Sequence, residues 1–273
     1  MTRAQAAGQA IGIFDSGVGG LTVLKRIAQR LPHEHLCYLG DTARVPYGTK
    51  SADTVIRYAR SCAARLTERG IKLLVVACNT ASAYALETLA GELPVPVVGV
   101  VEPGARAAVS RSKNGRIGVI GTAGTVASGA YPRAIAALDP DICVFSKACP
   151  LFVPLAEEGW IRGELPRTVA RTYLAELDAR GIDTLVLGCT HYPLLRGPIA
   201  HAAGPQVRLV DSAQETARAV ETTLRESDLL RRASTAGRHR FLVSDSPASF
   251  AKVGSRFLGH ALAGVEWVDV QTG

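Results

Sequence analysis

Two stretches about 110 residues apart read as the same local structure, and that repetition constrains the fold more than any other feature of the chain. Leu74 to Ser82 runs Leu-Val-Val-Ala-Cys-Asn-Thr-Ala-Ser, and Leu185 to Pro193 runs Leu-Val-Leu-Gly-Cys-Thr-His-Tyr-Pro. Arg69-Gly70-Ile71 leads into the first and Arg180-Gly181-Ile182 into the second, which sets Cys78 and Cys189 at one offset of 111 residues. Further upstream, Ile11-Gly12-Ile13-Phe14-Asp15-Ser16 is mirrored by Ile117-Gly118-Val119-Ile120-Gly121-Thr122, and Cys37-Tyr38-Leu39 by Cys143-Val144-Phe145, both at an offset of 106. A period this long exceeds any solenoid repeat and predicts two like domains.

A short apolar run bounded by small or polar residues reads as a buried strand of a parallel sheet. Each cysteine then stands at a strand's carboxyl end, where open α/β sheets bind ligands. With 47% hydrophobic and only 5% aromatic residues, the composition suits helices packed on such sheets. The expected fold is α/β: two pseudo-symmetric open parallel-sheet domains facing each other across a cleft. The tail reads as a strand at Val207–Val210, a helix from Ser212 to about Arg232, a strand at Arg240–Val243, a helix at Pro247–Leu258 and a strand at Val265–Val270. It is expected to return to the first domain, so that residues 1–98 and 209–273 form a discontinuous first domain and residues 99–208 the second.

The Met1–Ala10 segment lacks the apolar core of a signal peptide, and no later run approaches the roughly 18 apolar residues of a membrane span. A cytoplasmic chain with no membrane partner is expected. There its six cysteines stay reduced, and none forms a C-x-x-C pair, which argues against disulfides and structural zinc. The formal charge of +7 is compatible with nucleic-acid contact or with acidic small substrates, and the most basic segment, Arg225 to Arg240, also contains Glu226 and Asp228.

Asp15-Ser16-Gly17-Val18-Gly19-Gly20 joins a strand to a helix starting near Leu21. Its glycines either permit a tight turn or open a helix N-terminus to an anion. Neither Walker nor dinucleotide spacing is present, so nucleotide binding is not supported. The loop Gly40–Thr49, with Pro46-Tyr47-Gly48, is longer than a plain connection needs.

A lone cysteine after a strand reads first as a buried small hydrophobe. Two at equivalent positions of duplicated domains, each followed by amide, hydroxyl or imidazole groups, read as a site. Both precede helix starts, which favours the thiolate. A nucleophilic enzyme needs one thiol and a separate base. Two opposed thiols suit a different reaction: one removes a proton from a carbon and the other delivers a proton to the opposite face. That chemistry requires no metal and no cofactor, and pyridoxal phosphate would need a Schiff-base lysine, for which none of the six lysines has a recognisable context.

Asp-Ser-Gly-Val-Gly-Gly-Leu-Thr-Val at 15 to 23, Pro-Tyr-Gly at 46 to 48, Ala-Cys-Asn-Thr-Ala at 77 to 81 and Gly-Cys-Thr-His-Tyr-Pro at 188 to 193 resemble the signature segments of bacterial glutamate racemases, in order over nearly the whole chain. The resemblance implies cofactor-independent interconversion of L- and D-glutamate for peptidoglycan synthesis, in a homodimer. It implies Cys78 and Cys189 as the two acid/bases; His191, two residues past Cys189, can take or give that thiol's proton, and Asp15 could do so for Cys78. It also implies substrate contacts from Asp15, Ser16, Pro46, Tyr47, Gly48, Asn79, Thr80, Thr190 and His191. An acidic residue assisting the second cysteine is best matched by Glu157, with Glu158 its neighbour. Tyr47 could equally serve as a packing aromatic. Aspartate-specific relatives are the nearest alternative, and they typically carry Glu where His191 stands. Some members of the family also inhibit DNA gyrase, which makes gyrase a candidate second partner and a binding role the alternative of a different class.

Overall fold

The computed structural model describes residues 3–270. In chain order these form α1 (Arg3–Ala7), β1 (Ala10–Asp15), α2 (Leu21–Arg30), β2 (Leu36–Gly40), α3 (Ala52–Thr67), β3 (Ile71–Val76), α4 (Asn79–Glu92) and β4 (Val97–Gly99). Next come α5 (Val101–Arg111), β5 (Arg116–Gly121), α6 (Ala123–Ala127), α7 (Ala130–Ala136), β6 (Cys143–Ala148), α8 (Phe152–Glu158), α9 (Glu164–Asp178), β7 (Thr184–Gly188), α10 (Arg196–Ala203) and β8 (Arg208–Asp211). The tail supplies α11 (Ser212–Glu226), β9 (His239–Val243), α12 (Pro247–Leu258) and β10 (Val265–Trp267).

The strands make two sheets, β10-β9-β2-β1-β3-β4 and β6-β5-β7-β8, and every pairing is parallel. β3 and β7 are buried at every position, as strands covered by helices on both faces must be. The α/β class and the two parallel sheets read from the sequence are therefore what the chain forms. The duplication extends to topology, because β2-β1-β3-β4 and β6-β5-β7-β8 are one strand order used twice. In each sheet the order reverses beside the first strand, between β1 and β3 and between β5 and β7. Crevices open at such reversals, outside the carboxyl ends of the strands. Asp15 and Cys78 follow one reversal; Thr122 and Cys189 follow the other.

Several boundaries differ from the sequence reading. β8 pairs with β7, so the second sheet continues through Asp211 and the boundary expected between residues 208 and 209 falls inside a strand. Consecutive strands joined by a right-handed crossover tend to be neighbours, and α10 returns the chain beside the strand it has just left. The tail rejoins the first sheet only at β9, which pairs with β2. α11 ends at Glu226 rather than near Arg232, followed by Asp228 in the left-handed region with φ 52°. α5 begins directly after β4 at Val101, with Pro103 in the first helical turn, a position proline tolerates.

A buried ion pair ties the start of the chain to the tail. Lys72 on β3 donates to Glu34 Oε2, to the Ala7 carbonyl at 2.6 Å and to the Leu229 carbonyl at 2.8 Å. Glu34 Oε1 accepts from the Arg231 amide at 2.7 Å. Burial pulls the Lys72 pKa down while Glu34 acts to raise it.

Candidate active site

The carboxyl ends of the two sheets meet around one cavity of about 340 Å³. Loops of the first sheet bring Ser16, Pro46, Tyr47, Gly48, Cys78, Asn79 and Thr80 to its wall; those of the second bring Glu157, Cys189, Thr190 and His191. Glu158, next to Glu157 at the end of α8, is exposed and lies outside it. Larger grooves of about 790 and 580 Å³ elsewhere contain no cysteine.

Cys78 sits at the junction of β3 and α4, with extended backbone (φ −69°, ψ 124°), and is 6% exposed. Its thiol is pushed up to about 12, chiefly by burial and then by the nearby Asp15 charge, against the lowering effect of the Ala81 amide and Ser16. The helix start that was expected to favour the thiolate is outweighed by desolvation, which penalises the charged form. Asp15 is fully buried and is the one candidate that does not line the cavity. Its Oδ2 accepts from the Gly17 amide at 3.0 Å, and its Oδ1 has no hydrogen-bond partner among the described residues. Burial raises its pKa, with His191 the largest opposing influence.

Cys189 follows β7 and precedes a 3-10 turn at Tyr192–Leu195. His191 Nδ1 lies 3.8 Å from Cys189 Sγ, and His191 Nε2 lies 2.9 Å from Glu157 Oε1. Burial alone would lower the imidazole pKa, but the hydrogen bonds and charges of Cys189 and Glu157 prevail and raise it to about 10. The Phe257 ring from α12 meets the imidazole edge-on, with centroids 5.3 Å apart, and the Arg256 guanidinium donates to the Glu157 carbonyl.

The glycine-rich turn makes this approach of the two halves sterically feasible. A Cβ at Gly19 would stand 2.2 Å from Thr190 Oγ1 and 2.5 Å from His191 Nδ1. Thr22 Oγ1, in the first turn of α2, donates to the Thr190 carbonyl at 3.1 Å. Close packing of one half on the other therefore accounts for Gly19.

On the opposite wall, Asn79 Oδ1 accepts from the Tyr131 hydroxyl at 2.8 Å, while Asn79 Nδ2 has no partner among the described residues. A buried donor thus remains on a cavity-lining residue. Thr80 Oγ1 is within 2.9 Å of Thr122 Oγ1 and 3.1 Å of Thr125 Oγ1, a hydroxyl cluster bridging the halves. Thr122 lines the cavity and was not singled out in the sequence; the 106-residue offset that pairs it with Ser16 was the signal. Tyr47 is both a wall residue and a packing aromatic: it is 1% exposed, its hydroxyl donates to Asp41, and its ring lies 5.6 Å from that of Tyr58.

Among the described residues no cluster of three or more His, Cys, Asp or Glu side chains is arranged to hold a metal, and no helix is long and apolar enough to cross a membrane. The geometry offers two thiols on one cavity, a charged imidazole–carboxylate pair behind one of them and a buried carboxyl group behind the other.

The sequence model of the family described as Asp/Glu/Hydantoin racemase matches residues 11–220. A glutamate racemase of Geobacter metallireducens is 59% identical over 263 residues, covering 96% of this chain and 97% of that protein. The crystal structure of a glutamate racemase isoform from Bacillus anthracis superposes with a TM-score of 0.90 at 41% identity, covering 96% of this chain and 97% of that one. That of the Francisella tularensis glutamate racemase in complex with D-glutamate does so at 0.91 and 36% identity, covering 97% and 98%. The chain belongs to the Asp/Glu/Hydantoin racemase family, and the relatives it matches at these identities are glutamate racemases.

Proposed function

We propose that the chain is a glutamate racemase working through two thiols. The observation that carries this reading is the presence of Cys78 and Cys189 on the same cavity, each delivered by the strand-order reversal of its own sheet. One sulfur takes the Cα proton of glutamate and the other sulfur's proton is added to the opposite face. The Cα–H bond breaks, its electron pair spreads into the α-carboxylate, and a new Cα–H bond restores the carbon with inverted configuration. The two thiols exchange protonation roles and no electrons are lost.

The residues around each sulfur support a division of labour. With its thiol pushed up to about 12, Cys78 holds a proton at neutral pH and is the donor in the resting site. Across the cavity, His191 is charged at neutral pH and hydrogen-bonded to Cys189, where it balances the charge of the thiolate that accepts the substrate proton. Asp15, close enough to Cys78 to raise its pKa, is the group that relieves Cys78 of its proton for the return direction. Asn79 Nδ2, without a partner among the described residues, and the hydroxyls of Ser16, Thr80, Thr122 and Thr190 suit the carboxylates of glutamate. Donors already fixed where charge develops are the main means by which a site stabilises such an intermediate. The product, D-glutamate, would supply peptidoglycan synthesis.

Circular dichroism of L-glutamate and L-aspartate, each incubated with the protein and no added cofactor, tests the substrate. Loss of the glutamate signal to zero is expected, with aspartate unchanged. Racemisation of aspartate alone would overturn the assignment.

A further inference from the structure

Behind the Pro46–Thr49 wall of the cavity lies a fully buried carboxylate, Asp41, which does not itself line the cavity. Its Oδ2 accepts from the Tyr47 hydroxyl and from Arg44 Nε, the latter at 2.7 Å. Its Oδ1 accepts from Ser244 Oγ at 2.9 Å. That hydroxyl also accepts from the Ala43 amide at 2.9 Å, and the Ser244 amide donates to the Gly40 carbonyl at 3.1 Å. Both carboxylate oxygens thus hold the loop, one through Tyr47 and Arg44 and the other against the end of β9.

On the cavity side this loop has little freedom. A Cβ at Gly48 would stand 2.7 Å from Thr122 Cβ, so Gly48 already touches the second half of the molecule. Thr122 in turn is bonded to Thr80, the second residue past Cys78. Arg44 is held from behind, with its guanidinium 4.3 Å from the centre of the Tyr58 ring and 3.7 Å from Cys62 Sγ, both on α3. A displacement of Tyr47 would carry Gly48 along and change the fit of the wall to whatever lies between the two thiols.

We propose that Asp41 is a positioning residue for substrate binding: its carboxylate fixes Tyr47 and Gly48 against Thr122 and so sets the shape of the cavity wall. This rests on the reading of the cavity as the glutamate site. Because Asp41 touches no reacting atom, its loss should weaken substrate binding more than the chemical step. A residue that only stabilised the fold would instead reduce the active fraction, lowering apparent kcat and leaving KM unchanged.

The test is steady-state racemisation by Asp41→Asn, Tyr47→Phe and the double variant, with melting temperatures recorded for each. Asp41→Asn keeps the shape but loses the charge; Tyr47→Phe keeps the ring and removes only the hydroxyl, so it carries the test if the first variant folds poorly. Each single variant is expected to raise KM about tenfold, the factor equivalent to about 1.4 kcal/mol, with kcat changed by less than about threefold. The double variant is expected to match the singles rather than multiply them, since both remove one shared interaction. Unchanged KM in Tyr47→Phe, or multiplicative effects in the double variant, would overturn the proposal. Failure of the unmodified protein to racemise glutamate would overturn it together with the racemase reading, so a normal wild-type rate separates the two failures.

Discussion

Glu157 and His191 come from different elements of the second half, α8 and the turn after β7, and meet at 2.9 Å between Oε1 and Nε2. The other ring nitrogen then faces Cys189 Sγ at 3.8 Å. The pair keeps a positive charge beside one sulfur of the cavity, and its counterpart beside Cys78 is a buried acid, Asp15. The two halves share a topology yet offer their thiols opposite electrostatic surroundings.

Replacing Glu157 by Gln keeps the size of the side chain and removes the charge that helps raise the His191 pKa to about 10. The rate should fall by about 10²-fold or more, within the range ascribed to a positioned acid/base group. A stability signature accompanies it. A histidine whose folded pKa lies above its unfolded value of about 6.5 contributes stability fully below that value and loses it as pH rises through the folded pKa. The difference in unfolding free energy between the unmodified protein and Glu157→Gln should therefore be largest near pH 6 and shrink as pH approaches about 10. Urea titrations across that window measure it, and a difference that grows with pH contradicts the pairing.

Gly19→Ala adds one methyl group where Thr190 Oγ1 and His191 Nδ1 leave 2.2 and 2.5 Å. Overpacking of this kind costs about 1–3 kcal/mol, and here relief requires the second half to move back from the first. Activity should fall more steeply than stability does. Parallel melting curves and racemisation rates read both, and retention of full activity would show that the approach is not needed.

Lys72→Met leaves Glu34 buried with its main cationic partner gone. Breaking a buried pair in this way costs about 3–5 kcal/mol, whereas replacing both partners by apolar groups of similar volume can be close to neutral. Lys72→Met should lower the urea midpoint markedly, and Lys72→Met combined with Glu34→Leu should recover much of the loss. Equal destabilisation of both variants would mean that the lost contacts to Ala7 and Leu229, rather than the stranded charge, dominate.

Much of this architecture is legible in the sequence because its elements are local. Apolar runs ending in cysteine mark β3 and β7, and the repeat of Arg-Gly-Ile before each one links the halves. Asn79, Thr80, Thr190 and His191 follow the cysteines directly, so a correct strand end places them at the cavity. What the sequence hides depends on tertiary pairing. The affiliation of β8 is decided by which strand it lies beside, and nothing in Arg208–Asp211 distinguishes the two sheets. The high Cys78 pKa follows chiefly from burial and then from the Asp15 charge, which together override the helix start visible in the chain. Gly19 shows its role only once Thr190 lies over it, and Asp41 only once Ser244 arrives from the tail, about 200 residues away.

The central claim is that Cys78 and Cys189 act as separate bases on opposite faces of one carbon. Racemisation of L-glutamate in D2O, sampled at early times by mass spectrometry, tests it most directly. Two bases predict deuterium at Cα of the D-glutamate formed while the remaining L-glutamate stays protonated, with Cys78→Ala and Cys189→Ala each abolishing turnover in folded protein. Equal deuterium in substrate and product from the start, or substantial racemisation by either variant, would contradict the account.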